Sequence, residues 1–156
     1  MADIALTFTD YGGGDLVLAG QDLARDDGLE SAVLVSLFTD RRATPDQIRA
    51  GENKSDLRGW WGDYAPAVEG YQTGSLLWLL QREKQTSETL ARARQYAEQA
   101  LAWMVEDRVA SAVTVTTEYG APGVMLIRID IDRPDAPRLT YRYDYEWAAQ
   151  AAKRAA

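Results

Sequence analysis

The sequence predicts a single α+β domain, with a C-terminal antiparallel three-stranded meander packed against two or three helices and an N-terminal β-hairpin. Three segments of alternating apolar and polar residues follow one another near the C-terminus. Segments whose apolar residues lie three or four apart precede them, and strands gathered after helices are typical of an α+β layer. The length of 156 residues suits one domain, residues 1–156, with a substantial core.

The N-terminal part, residues 1–20, predicts the hairpin. Apolar residues alternate weakly over residues 4–9, a glycine-rich turn follows at 11–15, and the apolar pattern resumes at 16–18. A phosphate-binding loop is a poor alternative, because no helix, lysine or Ser/Thr follows the glycines as a P-loop requires. Residues 22–28 are expected to form a polar connection.

The helical part is predicted over residues 29–108. Apolar spacing predicts a short buried helix over residues 29–38. A long amphipathic helix is predicted from about residue 86 to residue 108, where a Thr-Ser-Glu-Thr sequence is typical of a helix N-terminus. Between them, a short buried helix is predicted over about residues 74–84.

A long loop, residues 43–73, is predicted within this helical part. Residues 43–56 are polar and contain proline, glycine and asparagine, so an exposed loop of variable shape is expected. Residues 58–73 are rich in aromatic residues but interrupted by glycine and proline, which predicts a folded loop. Trp60 and Trp61 lie there. Either they pack the loop, or one of the two anchors a partner protein.

The meander is predicted over residues 111–146. Each alternating segment places apolar side chains on one face and polar side chains on the other, so one face should pack on the helices and the other face water. The last strand, which contains Tyr141 and Tyr143, is the expected edge strand. An open edge is a template for adding a strand from another chain. Residues 148–156 form an Ala-rich tail that is a short helix or frays.

The composition excludes several classes of function. The chain has 24 acidic and 17 basic residues, a net charge of −7 at pH 7, which disfavours nucleic acid as a partner. It has no cysteine and no histidine. These absences remove disulfides, Ser-His-Asp and Cys-His triads and the usual zinc sites. Carboxylate chemistry and oxygen-ligated metals are what remain.

The sequence carries no recognisable leader and no apolar run of the roughly 18 residues that a membrane-spanning helix needs. We therefore expect a soluble chain that is made in the cytoplasm and has no membrane partner.

Paired carboxylates are the catalytic chemistry that the composition leaves open. Glu30 with Asp40, or Asp63 with Glu69, could form the acid and nucleophile of a glycosidase. Accidental pairs are expected among 24 acidic residues, so this alternative is weak. A calcium loop at residues 130–135 lacks the glycine and glutamate of an EF-hand. We predict no catalytic residue, cofactor or metal, and a small-molecule binding module with a tryptophan-lined pocket is a further alternative.

Two pairs of charged residues lie at predicted helix ends. Arg41 and Arg42 follow the first helix, where they either balance the negative end of its dipole or contact carboxylates of a partner. Glu106 and Arg108 close the long helix, where Arg108 balances the negative end of the dipole beside an adjacent Glu.

Four segments in this order resemble a known family: SLFTDRRA (residues 36–43), RGWWGD (58–63), GSLLWLL (74–80) and EDRVA (106–110). The resemblance, over about residues 3–147, is to the small baseplate protein family of Mu-type contractile phages, gene product 46. That family is similar to the wedge and sheath-initiator family of T-even phages, gene product 25, and to its counterpart in type VI secretion.

The resemblance implies a structural subunit without enzymatic activity. Its location would be the virion tail baseplate, after assembly in the cytoplasm of the bacterial host. Its partners would be other baseplate wedge proteins and the tail sheath protein, and the isolated subunit could be a monomer. The edge strand with Tyr141 and Tyr143 would accept a strand of the sheath protein and so initiate sheath assembly.

The resemblance also implies where wedge proteins dock. The loop from Arg41 to Asp63 is one such region, and its candidate contact residues are Arg41, Arg42, Arg58, Trp60, Trp61 and Asp63. Glu106, Arg108 and Val109 match the Glu-Pro-Arg-Val signature that contacts neighbouring wedge subunits in the T-even and type VI relatives. Asp107 stands where those relatives have proline.

Overall fold

A three-stranded antiparallel sheet with helices on one face is the centre of the computed structural model, which thereby confirms the predicted α+β class. Small strand ribbons precede the helices. The structure describes residues 3–8, 14–26, 28–50, 52–66, 68–81 and 83–146. The predicted tail at residues 148–156 lies outside them.

The elements follow one another in a simple order. Six short strands come first: β1 Asp3–Ile4, β2 Leu6–Phe8, β3 Gly14–Leu16, β4 Leu18–Ala19, β5 Asp22–Leu23 and β6 Arg25–Asp26. The helices are α1 Glu30–Phe38, α2 Ser87–Leu101 and α3 Trp103–Glu106, with 3₁₀ turns at Trp61–Tyr64 and Leu77–Leu80. The sheet strands are β7 Ala112–Tyr119, β8 Val124–Arg133 and β9 Ala136–Glu146.

The N-terminal strands form three antiparallel ribbons that meet at a junction. The predicted hairpin is confirmed where β2 pairs with β3, while the turn between them lies outside the described residues. β1 pairs with β6 and β4 with β5, so the segment predicted as a polar connection, residues 22–28, contains two short strands that the prediction did not include. The amides of Ala5, Val17 and Ala24 donate in a cycle to one another's carbonyls, over 2.8 to 3.1 Å, and join the three ribbons.

Helix α1 confirms the helix predicted over residues 29–38, but the helix predicted over about 74–84 was wrong. Only the 3₁₀ turn Leu77–Leu80 forms there. The reason is a tertiary contact: the Ser75 amide donates to the Thr39 carbonyl, and the Arg41 amide donates to the Ser75 carbonyl, each over 2.9 Å. These bonds hold the chain extended beside the end of α1, so a regular helix cannot begin before them.

The predicted long helix is interrupted. Thr86 caps α2 by accepting a hydrogen bond from the Thr89 amide, as its sequence predicted. At Ala102 the bonding tightens to i→i−3 contacts, and α3 follows as a single turn. The break lets the Trp103 indole donate to the Ser36 hydroxyl of α1, 3.1 Å away.

The predicted meander is confirmed, with β8 between β7 and β9. The odd-numbered residues of β8 from 125 to 131 face the helices and are fully buried, and they meet small residues of α2 and apolar residues of α1. The principal members are Met125, Ile127, Ile129, Ile131, Ala93, Ala97, Val33 and Leu37. None of the helices in the described part of the chain combines the length and apolar character of a membrane span.

A second, smaller cluster lies under the long loop. Ala43, Ile48 and Leu76 are buried together, with Leu57 and Trp78 packed against them. The prediction of an exposed loop over residues 43–56 was therefore wrong at Ala43 and Ile48, which are buried. These two apolar side chains fasten an otherwise polar segment to the domain.

Candidate protein-interaction surface

The aromatic-rich loop is fastened at both ends to the segment that follows α1. Asp40 and Ser75 form a parallel β-bridge, and the Ser75 hydroxyl donates to the Leu37 carbonyl. The Ala43 amide donates to the Leu57 carbonyl over 2.9 Å. The chain between these points is thus a closed loop with fixed ends.

Arg58 lies beneath this loop as an internal anchor. Its Nη1 atom lies 2.6 Å from Asp40 Oδ2, and its Cζ atom lies 4.4 Å from the centroid of the Trp78 ring. The Trp78 indole in turn donates to the Arg41 carbonyl over 2.9 Å. The side chain of Arg58 is only 13% exposed, so the structure places this predicted contact residue inside the subunit, in an ion pair and a cation–π contact.

Three other predicted contact residues shape the loop from its sides. Arg41 donates through Nε to Gln72, over 3.1 Å, and Arg42 donates through Nη1 to the Arg58 carbonyl, over 3.2 Å. Both oxygens of Asp63 accept from the Thr73 amide, at 3.1 and 3.2 Å. Arg42 is exposed and Arg41 is half-buried. These charges hold the loop in one conformation and leave part of the Arg42 guanidinium accessible.

The loop displays an exposed apolar surface, here called the aromatic patch and made of Trp60, Trp61, Tyr64, Val68 and Tyr71. Trp61 is 77% exposed, Trp60 42% and Tyr64 84%. The two adjacent tryptophans are therefore unequally buried, and Trp61 is the more exposed of the two. Sequence reasoning missed the other three members, although large apolar residues in a glycine- and proline-interrupted loop were the available signal.

The tryptophans of the patch are held by local packing. The Trp60 and Trp61 ring centroids lie 5.4 Å apart at an interplanar angle of 46°. A Cβ atom at Gly62 would lie 2.6 Å from the Trp60 Cε3 atom and closer still to two other ring carbons. Glycine is therefore required here for the Trp60 ring to fold back over the 3₁₀ turn.

The cavities beside the tryptophans are small. A depression next to Trp60 and Tyr64 measures about 70 Å³, and one next to Trp78 and Ile48 about 110 Å³. Small-molecule pockets usually span roughly 300–1,000 Å³. The geometry does not support the small-molecule alternative.

One acid of each pair proposed for a glycosidase has a structural partner. Asp40 pairs with Arg58, and Asp63 accepts from the Thr73 amide. Within the described ranges, no group of three or more acidic side chains is placed to hold a metal ion. Nothing in this geometry favours the glycosidase alternative.

A second exposed corner lies where α3 ends. Glu106, Asp107 and Arg108 are all exposed, and no contact of Glu106 or Arg108 with another charged residue occurs in the described part of the chain. Arg108 adopts a left-handed backbone with φ 61°. The Ala110 amide donates to the Met104 carbonyl over 2.8 Å and closes the turn around it. Two exposed charges therefore project from a fixed turn.

We expect Arg108→Gly to raise the free energy of unfolding by about 1 kcal/mol, because the left-handed conformation costs an L-residue roughly that much and costs glycine nothing. Chemical denaturation of the isolated protein measures the change. Arg108→Ala is the matched control, since it removes the charge but keeps the Cβ atom, and it should leave stability within about 0.5 kcal/mol of the parent. If the glycine variant were less stable than the parent, the claim that the backbone at Arg108 is strained would be contradicted.

The third candidate region is the outer edge of β9. The Gly120 amide donates to the Val124 carbonyl, which makes Tyr119–Met125 a non-hydrogen-bonded pair of the ladder. Hydrogen bonding alternates from there, so even-numbered residues of β8 bond β7 and odd-numbered residues bond β9. In β9 the even-numbered residues therefore direct their amides and carbonyls away from the sheet. No other described strand pairs with this edge.

Tyr141 and Tyr143, the predicted contact residues of this strand, place their rings against the helices and are half-buried. The Tyr141 hydroxyl accepts from the Leu29 amide over 3.0 Å, and the Tyr143 ring meets Phe38 edge to face at 5.5 Å. Burial raises the pKa of both phenols, and that of Tyr143 lies well above its usual range. The side chains of β9 open to a partner on the other face are those of Thr140, Arg142 and Asp144.

The protein is of a general class, an α+β subunit whose prominent surfaces suit contact with other proteins. These surfaces are a preorganised aromatic loop, an exposed charged corner and an open strand edge. The comparisons with known proteins specify this class further. Residues 29–138 match the model of a family described as phage protein GP46. The chain belongs to this family, which confirms the resemblance seen in its sequence.

Two relatives align over almost their full length. The baseplate protein gp46 of Escherichia phage Mu is 41% identical over 143 residues, which cover 92% of this chain and 95% of the relative. The Mu-like prophage FluMu protein gp46 of Haemophilus influenzae is 42% identical over 148 residues, which cover 95% of this chain and 99% of the relative.

Proposed function

We propose that this chain is a structural subunit of the tail baseplate of a contractile phage, prophage or tailocin, and that it catalyses no reaction. The near full-length similarity to the Mu baseplate protein supports the role and the location in the virion tail baseplate. Assembly in the host cytoplasm belongs to the same proposal. The subunit joins larger wedge proteins and initiates the sheath.

The observation that carries the docking role is the exposure of Trp61 on a loop that the rest of the subunit holds rigid. Tryptophan, tyrosine and arginine are the residue types that contribute most to protein interfaces. An anchor that is already fixed in the free subunit loses little conformational entropy on binding. The Arg58–Asp40 ion pair and the cap of Asp63 on the Thr73 amide supply this rigidity.

The corner formed by Glu106 and Arg108 provides a second docking point. Both charges are exposed, and the left-handed backbone at Arg108 fixes the direction in which they project. Strained non-glycine residues often mark functional positions. A carboxylate and a guanidinium so placed suit paired, oppositely charged groups on a wedge protein.

The open edge of β9 supports sheath initiation by strand addition. Every second residue of this strand leaves its backbone donor and acceptor without a partner strand in the described structure, and a segment of the sheath protein would satisfy them. The first sheath ring would then continue the sheet of the baseplate subunit.

The docking role predicts that Trp61→Ala lowers the yield of intact contractile tails by roughly tenfold or more, since truncation of an interface anchor costs about 2 kcal/mol or more. The stability of the isolated protein should change by less than about 0.5 kcal/mol, because the side chain is mostly exposed. Electron microscopy of lysates and infective titre measure the yield. Denaturation of the purified variant measures the stability.

Leu18→Ala is the matched control, because Leu18 is equally exposed but lies in the N-terminal ribbons. It should leave both readouts unchanged. A strain without the gene supplies the baseline: intact contractile tails from that strain would contradict the baseplate role itself. Normal tail yield from Trp61→Ala alone would contradict only the assignment of the aromatic patch.

A further inference from the structure

We infer that the strand accepted at the edge of β9 carries an acidic side chain facing Arg142, with an apolar residue on each side of it. This inference rests on the proposed strand addition and specifies the chemistry of the strand that fits. The argument concerns the solvent face of the meander, where the ladder brings two arginines together.

Arg142 lies directly opposite Arg128 in the β8–β9 ladder. Like charges in this position destabilise a sheet. Arg128 is compensated, because its Nε atom lies 3.0 Å from Asp130 Oδ2. Asp130 is fully engaged, since it also accepts from the Thr140 hydroxyl over 2.6 Å, and these hydrogen bonds lower the pKa of its carboxyl group.

The remaining arginine of the β9 solvent face is also compensated. Arg138 donates to both oxygens of Asp132 across the ladder. Arg142 differs from Arg128 and Arg138, because no ion pair or hydrogen bond joins its side chain to another residue in the described ranges. Its positive charge is thus available to a group outside the subunit.

An open groove of about 430 Å³ over the sheet borders Arg142 and Asp144, so both side chains are accessible. Along the outward-facing positions of β9, Asp144 would repel an acid placed opposite it, whereas Arg142 would attract one. A second strand therefore has one electrostatically preferred register.

The backbone of β9 fixes the geometry of that register. Arg142 directs its amide and carbonyl outward, so it forms a hydrogen-bonded pair with the residue that faces it, at a Cα separation of about 5.5 Å. The residues facing Tyr141 and Tyr143 form non-hydrogen-bonded pairs, about 4.5 Å apart, and meet the aromatic rings on the other face. An antiparallel incoming chain therefore carries four residues in this order: a basic or polar residue opposite Asp144, an apolar residue, an acidic residue opposite Arg142, and a second apolar residue.

Two blocked peptides test this pattern on the intact protein: one with the core Lys-Val-Glu-Val-Thr and one with the charges exchanged, Glu-Val-Lys-Val-Thr. Fluorescence polarisation should show about tenfold tighter binding of the first, because each cross-strand charge pair contributes up to about 1 kcal/mol and 1.4 kcal/mol is tenfold. Arg142→Glu should remove or reverse the preference. Equal binding of both peptides to the parent protein would overturn the inference.

Arg142→Pro separates this inference from the strand addition on which it rests. Proline removes the outward amide of β9 without removing a hydrogen bond to β8, so neither peptide should bind. Arg142→Ala keeps the amide and should bind both peptides, with only the weaker preference for the first that Asp144 supplies. If neither peptide binds the parent, or if the proline variant binds as the parent does, strand addition fails. If only the charge preference is missing, the acidic pattern fails alone.

Hydrogen exchange gives an independent readout in case the proline variant does not fold. Binding of the first peptide to the parent should slow exchange at the outward amides of Thr140, Arg142 and Asp144. In phage, Arg142→Glu should lower titre by about tenfold. Arg94→Glu is the control, since Arg94 is an exposed arginine on α2 whose surface ion pair with Glu98 contributes little to stability, and the titre of this variant should stay unchanged. Unslowed exchange at those amides would contradict the register.

Discussion

Gly74→Ala is expected to lower the free energy of unfolding by about 3 kcal/mol or more, since backbone strain and a backbone clash add at this position. Gly74 has φ 97°, which L-residues rarely adopt. A Cβ atom there would lie 2.8 Å from the Thr39 carbonyl carbon and closer still to its oxygen. Neither group can move without breaking the bridge between Asp40 and Ser75.

Gly70→Ala separates the two contributions. Gly70 has φ 79°, but a Cβ atom built on it meets no atom within 4 Å. This control should therefore lose only the conformational part, about 1 kcal/mol. Urea denaturation of both variants, compared with the parent, measures the difference. Equal losses for the two variants would show that the close approach to Thr39 contributes nothing.

Trp78→Ala is expected to cost about 3 kcal/mol, which is in the range for truncating a packed tryptophan. The indole connects three parts of the loop: it donates to the Arg41 carbonyl, lies under the Arg58 guanidinium, and packs on the small cluster with Ile48. Its loss should also release the aromatic patch. Limited proteolysis should then cut residues 58–73 at least several-fold faster.

Trp78→Phe is the control for the indole hydrogen bond, because it retains an aromatic ring beneath Arg58. It should cost about 1 kcal/mol for the lost bond plus a smaller packing loss. Proteolysis of the loop should stay close to that of the parent. Rapid cleavage of both variants would assign the rigidity of the loop to the hydrogen bond rather than to the ring.

Periodic elements were predictable because their signal is local. The alternation along β7, β8 and β9 reflects one buried and one solvated face, and the dense apolar residues of α1 reflect a helix that is buried around most of its circumference. The capping threonine of α2, Thr86, was likewise predictable, because its hydrogen bond with the Thr89 amide spans only three residues. In each case the residues that decide the structure lie within one turn or one strand of each other.

The failures have a common physical cause, which is bonding between residues far apart in sequence. The sequence after Gly74 predicts a helix, but the β-bridge between Ser75 and Asp40, 35 positions earlier, holds this segment extended. The N-terminal ribbons have strands of two or three residues, too short for any periodicity. Their stability comes from the junction at Ala5, Val17 and Ala24, which no local pattern encodes.

For the candidate site, the sequence indicated segments that carry exposed side chains, but not the direction of each side chain. Trp61 is exposed as an anchor requires, whereas Arg58 from the same RGWWGD motif is an internal support. On β9, Tyr141 and Tyr143 were predicted as contact residues, but their rings face the helices. The even-numbered residues of β9, including Arg142, point to the solvent face, because a strand alternates its side chains between two faces.

The aromatic patch also has a colloidal consequence for the free subunit. Each copy carries a net charge of −7 at pH 7, and this mutual repulsion opposes stacking of one patch on another. Near the isoelectric point of about 4.6 the repulsion vanishes, and the patch becomes the first place where copies adhere. At neutral pH, the surplus acidic charge thus opposes self-association of free copies through the exposed indoles.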